Sequence, residues 1–111
     1  MILSTTDGIQ GAVVEEYLGI VTAEVVYGSN ALQDFFAGIR DFVGGRTGGY
    51  ERVFERGHQD AMVELERRAD RLGADAVIGI EFDTGSINVD ETGALLLITA
   101  TGTAVRLQAL R

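Results

Sequence analysis

At 111 residues the chain has the length of one domain, enough to enclose a single core. Seventeen acidic residues against nine basic ones leave a net charge of −8, a field that repels phosphate backbones and anionic bilayers, so neither nucleic acid nor a membrane is an expected partner. The absence of cysteine excludes a disulfide framework, a thiolate metal site and a cysteine nucleophile.

The first strand candidate is Ile2 to Thr6, closed by the turn signal Asp7-Gly8. No basic region precedes its apolar residues, so it does not read as a signal peptide, and a cytoplasmic location is the default expectation. From Ala12 to Tyr27 β-branched and apolar residues dominate, which predicts one long strand or two strands broken at Gly19. Simple alternation puts Val13, Tyr17, Val21, Val25 and Tyr27 on one face and Leu18, Ile20, Thr22 and Val26 on the other. Ser29 or Asn30 can cap a helix running to about Val43, whose stripe is Leu32, Phe35, Phe36, Ile39, Phe42 and Val43. Gly44-Gly45 stops it, and a Gly-rich loop, Gly45-Arg46-Thr47-Gly48-Gly49, leads to a longer helix from about Tyr50 to Leu72, ended by Gly73. The apolar stripe of this second helix is Tyr50, Phe54, Gly57, Ala61, Leu65, Ala69 and Leu72. Strands from Ala76 to Asp83 and from Ala94 to Leu107 follow, joined by a polar hairpin around Asp90-Glu91-Thr92-Gly93. The longest uncharged stretch, Thr92 to Val105, has 14 residues and four threonines, too short and too polar to span a bilayer. The order predicts one α+β domain over residues 1–111, a mostly antiparallel sheet with helices packed on one face.

These strands are apolar on both faces. Leu95, Leu97 and Val105 oppose Leu96, Ile98, Ala100 and Ala104, with threonine in place of charge. A sheet wetted on one side should alternate apolar with polar residues, and each buried large aliphatic side chain contributes roughly 1.5–3 kcal/mol. The pattern therefore predicts a homo-oligomer, with a three-layer monomer, one helix on each face, as the alternative. All nine basic residues are arginine, a bias that fits either a GC-rich genome or adaptation to high salt.

Five segments carry a resemblance: Tyr17-Leu18-Gly19-Ile20-Val21-Thr22; Asp34-Phe35-Phe36-Ala37-Gly38-Ile39-Arg40-Asp41 with Val43-Gly44-Gly45-Arg46; Gly49-Tyr50-Glu51; Leu72-Gly73-Ala74-Asp75-Ala76-Val77-Ile78-Gly79-Ile80; and Thr101-Gly102-Thr103-Ala104-Val105. In these the chain resembles the YbjQ family, also called UPF0145 and labelled a heavy-metal-binding domain. The resemblance implies a dodecin-subunit-like unit that assembles as a pentameric ring, hence a homopentamer here. The number five rests on the resemblance alone. Two departures weaken a shared soft-metal site: some members carry cysteine where Leu18 stands, and His58 falls where relatives often have a basic residue. Extra residues around Ser86 to Glu91 imply a longer final hairpin.

Among candidate sites, Glu81 and Asp83 lie two apart on a strand, about 7 Å from each other on one face with Val77 and Gly79, a spacing compatible with a divalent metal ion or with acid and base roles. Pairing with arginine or with water explains the same pattern. Arg40, Asp41, Arg46, Tyr50 and Glu51 form the densest run of charge near glycine, where loop amides can cradle an anion or the charges can lock a turn against a neighbouring subunit. A nucleotide P-loop ending is missing there. His58 is the lone imidazole: one chain cannot supply a zinc-type site from histidine and cysteine, a ring could bring five copies to one axis, and an exposed surface histidine on a charged helix is the commoner arrangement. Gly57 inside a helix implies close packing on a strand. Tyr17, Tyr27 and Tyr50 can line a pocket, although a buried ring with its hydroxyl at a rim is the commoner arrangement. The expected function is a self-assembling binding protein with a metal ion or small ligand at subunit interfaces. The alternatives are an enzyme using interface carboxylates, for which no nucleophile, base and orienter cluster is visible, and a structural or regulatory scaffold.

Overall fold

The computed structural model describes residues 1–28, 46–89 and 93–109, and side chains throughout these except at 46–51, 87–89 and 93–94. Its elements are β1 (Ile2–Leu3), β2 (Ala12–Tyr27), α1 (Arg46–Arg71), β3 (Ala76–Val89) and β4 (Gly93–Ala109). The strands form one sheet in the order β1-β3-β4-β2. β4 pairs antiparallel with β2 on one side and with β3 on the other, while β1 runs parallel to β3. The sheet is therefore mixed, antiparallel but for one short pair, and α1 packs on one face of it.

The amphipathic pattern of α1 decides that face. Val53, Gly57, Ala61, Leu65 and Ala69 recur at intervals of four and are buried against Val21, Ala23, Leu96, Ile98, Ala100 and Ala104. At Gly57 the approach is closest, since a Cβ built there would overlap Ile98 Cδ1 and come within 3.3 Å of Tyr27. Glycine here exchanges helix propensity for contact between helix and sheet. The helix closes with paired hydrogen bonds, Gly73 N to Asp70 O at 2.9 Å and Ala74 N to Ala69 O at 3.2 Å, around Gly73 in the left-handed region at φ 79°.

Several sequence expectations change. The Arg46 to Gly49 run expected as a loop is the first turn of α1, because extending a formed helix through two glycines costs only about 1 kcal/mol each. Leu72, expected on the apolar stripe, lies past the helix end and is exposed. The first strand stops at Leu3, and β3 continues to Val89, well beyond Asp83. The helix expected from Ser29 to Val43 lies outside the described residues. In β2 the register slips between Val14 and Glu16 and again between Tyr17 and Gly19. These bulges break the alternation, so Tyr17 sits on the face opposite Val21, 70% exposed, and Leu18 turns towards the helix-side core.

Among the described residues the face away from α1 is closed only at one end, where Ala76, Ile78 and Val105 gather Ile9, Val14 and Leu107. Further along it Ile20 is 79% and Val26 56% exposed. A radius of gyration of 17.2 Å exceeds the roughly 13–14 Å of a compact domain of this length.

Candidate functional site

Strand pairing fixes which polar side chains share the open face. Glu81 aligns with Thr101 and Asp83 with Thr99, and across β4 those threonines align with Thr22 and Glu24. A row Asp83, Thr99, Glu24 and a row Glu81, Thr101, Thr22 therefore cross three strands. Val77 and Gly79 do not share this face in the way simple alternation implies. A register shift between Ile78 and Glu81, with Gly79 at φ 62°, buries Val77 under the helix while Glu81 points the other way. The bulge is tied down by the N-terminal segment, Gly79 N donating to Thr6 O at 2.8 Å and Ile80 N to Ser4 O at 3.1 Å.

Glu24 is the carboxylate that reading along the chain missed, since only the β2–β4 register brings it into line with Asp83. Two strand spacings, about 9.6 Å, separate those backbone positions, with Thr99 between them. All three carboxylates are exposed. Among the described residues no three His, Cys, Asp or Glu side chains converge on a metal position.

His58 lies on the other side of the sheet. Its ring is half-buried against Phe82, centroids 4.9 Å apart at a tilt of 52°, and Phe82 pairs with Ala100 on the helix side. Imidazole and carboxylates cannot reach a common ion within one chain. The donors on offer are oxygens that suit hard cations, with none of the thiolates that soft heavy metals select.

The tyrosines separate in the same way. Tyr17 is on the open face, whereas Tyr27 packs under α1 and donates its hydroxyl proton to Asp60 Oδ2 at 2.6 Å. Arg56 Nε in turn reaches Asp60 Oδ1 at 3.3 Å. Burial, followed by the hydrogen bond and the negative charge of Asp60, pushes the Tyr27 hydroxyl up to about 12, with Arg56 opposing. Tyr27 is thus the rim-anchored ring. The side chains of Arg46, Tyr50 and Glu51, like all of Arg40 and Asp41, lie outside the described residues, with Arg46, Tyr50 and Glu51 placed on the first turns of α1 by their backbone.

A groove of about 350 Å³ between Met1, Val63, Glu66, Arg67 and Asp70 lies along the outer side of α1, with the Met1 amine 3.6 Å from Glu66 Oε1. It contains none of the candidate residues. Among the described residues no helix is long and apolar enough to cross a membrane.

Comparison with known proteins places these features. A UPF0145 protein of Trichodesmium erythraeum is 74% identical over 96% of this chain and 99% of its own length. One from Nostoc punctiforme is 71% identical over 97% and 100% of the two chains, and one from a Synechococcus strain 51% identical over the same shares. In fold the chain is similar to the crystal structure of a protein of unknown function from Pediococcus pentosaceus, assigned to the DUF74 family. That likeness has a TM-score of 0.61 over 97% of this chain and 98% of the other at 19% identity. Residues 1–108 match the YbjQ family, whose description reads "Putative heavy-metal-binding", and with relatives this similar over their whole length the chain belongs to the YbjQ (UPF0145) family.

Proposed function

We propose that this protein is a self-assembling binding protein, a homopentameric ring of dodecin-like subunits, that takes a hard divalent cation or a small polar ligand where carboxylates of neighbouring copies meet. The supporting observation is the surface of the single chain. Its accessible area is 7444 Å². A compact monomer of 11.9 kDa exposes about 5,900 Å², so this chain shows about 1,500 Å² more than such a monomer, surface that neighbouring copies can cover. Tyr17, Ile20 and Val26 on the open face supply the apolar part of that surface.

The ligand follows from the donors. Glu24, Glu81 and Asp83 share that face, and among the described residues no three His, Cys, Asp or Glu side chains of one copy converge, so a second copy that adds its own oxygens completes the site. Arg40, Asp41, Arg46, Tyr50 and Glu51 are proposed as the polar contacts of a small ligand between subunits. A thiophilic heavy metal does not fit this chain.

Sedimentation velocity tests the assembly: five chains of 11.9 kDa give a species of about 60 kDa, whereas a folded 12 kDa species overturns it. Isothermal titration with calcium, manganese and zinc tests the ligand. Saturable binding by the wild type that is lost in the double variant Glu81→Gln, Asp83→Asn supports the carboxylate site. A ring that binds none of the three leaves the protein a scaffold.

A further inference from the structure

The two edges of this sheet are long, and the ordinary ways of blunting them are scarce. The chain contains no proline and no lysine, the residues that most often block strand addition. On one side, β1 covers Ala76 and Val77, and Ser4 to Thr6 cover Gly79 and Ile80. From Glu81 to Val89 no strand lies against the outer edge of β3 among the described residues. On the other side β2 is the outermost strand for all 16 of its residues. A sheet whose opposite edges carry no further strand among the described residues can add copies of itself head to tail, β3 of one against β2 of the next. Such a head-to-tail contact runs on into a fibre unless its rotation closes it into a ring.

The two halves of β2 differ. From Ala12 to Gly19 both register slips disrupt the ladder, and bulges of that kind twist an edge away from an incoming strand. From Gly19 to Tyr27 the register is unbroken, so this half is the one open to addition. Into it comes one side chain from α1: Arg68 Nη1 donates to the main-chain carbonyl of Thr22 at 2.6 Å, across 46 positions of sequence. The guanidinium is held from behind by Glu64, whose Oε1 accepts from Arg68 Nε at 3.2 Å while its Oε2 accepts from Arg67 Nη1 at 3.0 Å.

We propose that Arg68 is an edge guard, whose bond to the Thr22 carbonyl closes the regular half of β2 to strand addition by β3 of a second copy. A charged donor makes a stronger bond to a carbonyl than a peptide N–H does, so an incoming strand must displace it at a loss. The guard acts on the strand edge, and it stands whatever covers the apolar face of the sheet.

The test compares the full chain with Arg68→Ala and Arg67→Ala, two variants that change the net charge equally. Wild type and Arg67→Ala are expected to give one sedimentation boundary that does not move with concentration. Arg68→Ala is expected to shift to species that grow with concentration and raise thioflavin T fluorescence. Circular dichroism reports whether each variant folds. Should Arg68→Ala fail to fold, Arg68→Met, which keeps the aliphatic stem and removes the donor, is read in the same way. A folded Arg68 variant that sediments like Arg67→Ala overturns the guard. The wild-type mass is read separately, so loss of the ring proposal and loss of the guard are distinguishable.

Discussion

Tyr27 shows how one polar contact sets a pH limit. Burial first, then the bond to Asp60, raises its folded-state pKa from 10.0 to about 12, so the neutral, bonded hydroxyl supports the fold fully below pH 10. That contribution is lost as pH rises from 10 to 12. Stability of the wild type measured by urea unfolding should fall across that window, and the fall should be smaller in Tyr27→Phe, which has no hydroxyl to ionise. At neutral pH the same variant should cost on the order of 1 kcal/mol, the usual worth of such a bond. Two glycines set a steric limit of similar kind. A Cβ at Gly102 would stand 2.5 Å from Val77 Cγ1 and 3.1 Å from Ile80 Cγ1, and one at Gly57 would overlap Ile98. Gly57→Ala should therefore destabilise the protein by about 1–3 kcal/mol despite alanine's better helix propensity, a result that chemical denaturation reads directly.

Elements were legible in the sequence wherever one period ran without interruption. The stripe Gly57, Ala61, Leu65, Ala69 and the division of β4 into Leu96, Ile98, Ala100 and Ala104 against Leu95, Leu97 and Val105 follow from spacing alone. Leu65, fully buried between α1 and the sheet, should lose about 2–5 kcal/mol when replaced by alanine, measured as a shift of the denaturant midpoint. What spacing does not reveal is a bulge. One extra residue at Leu18 and another at Gly79–Ile80 invert the faces of everything beyond, so Tyr17 and Val77 lie opposite to where alternation puts them. The pairing of Glu24 with Thr99 is equally hidden, because it depends on residues more than 70 positions apart meeting in register, and that register is what lines Glu24 up with Asp83. Glu81 and Asp83 were visible as neighbours on one strand, whereas their company across the sheet was not.

Across the whole molecule charge is unevenly shared. α1 carries six arginines against six carboxylates, so the entire −8 lies in the rest of the chain, with Glu24, Glu81 and Asp83 on the open face. Copies meeting over that face repel one another, and added salt, with a screening length near 10 Å at 0.1 M, should tighten the assembly. Sedimentation at low and at physiological ionic strength checks the direction. Ile20→Glu, at a position 79% exposed in the single chain, should leave the fold's intrinsic stability nearly unchanged yet release subunits, read as a fall in mass by light scattering. The strand order carries a consequence for synthesis. Among the described residues β2 pairs with β4 alone, and the pair spans Ala12 to Ala109. At roughly 5–20 residues per second, a ribosome needs several seconds to make the stretch between them. Throughout that interval sixteen residues, five of them valine and two tyrosine, wait without their mate, an unpaired apolar strand that stays exposed to aggregation until the final strand emerges.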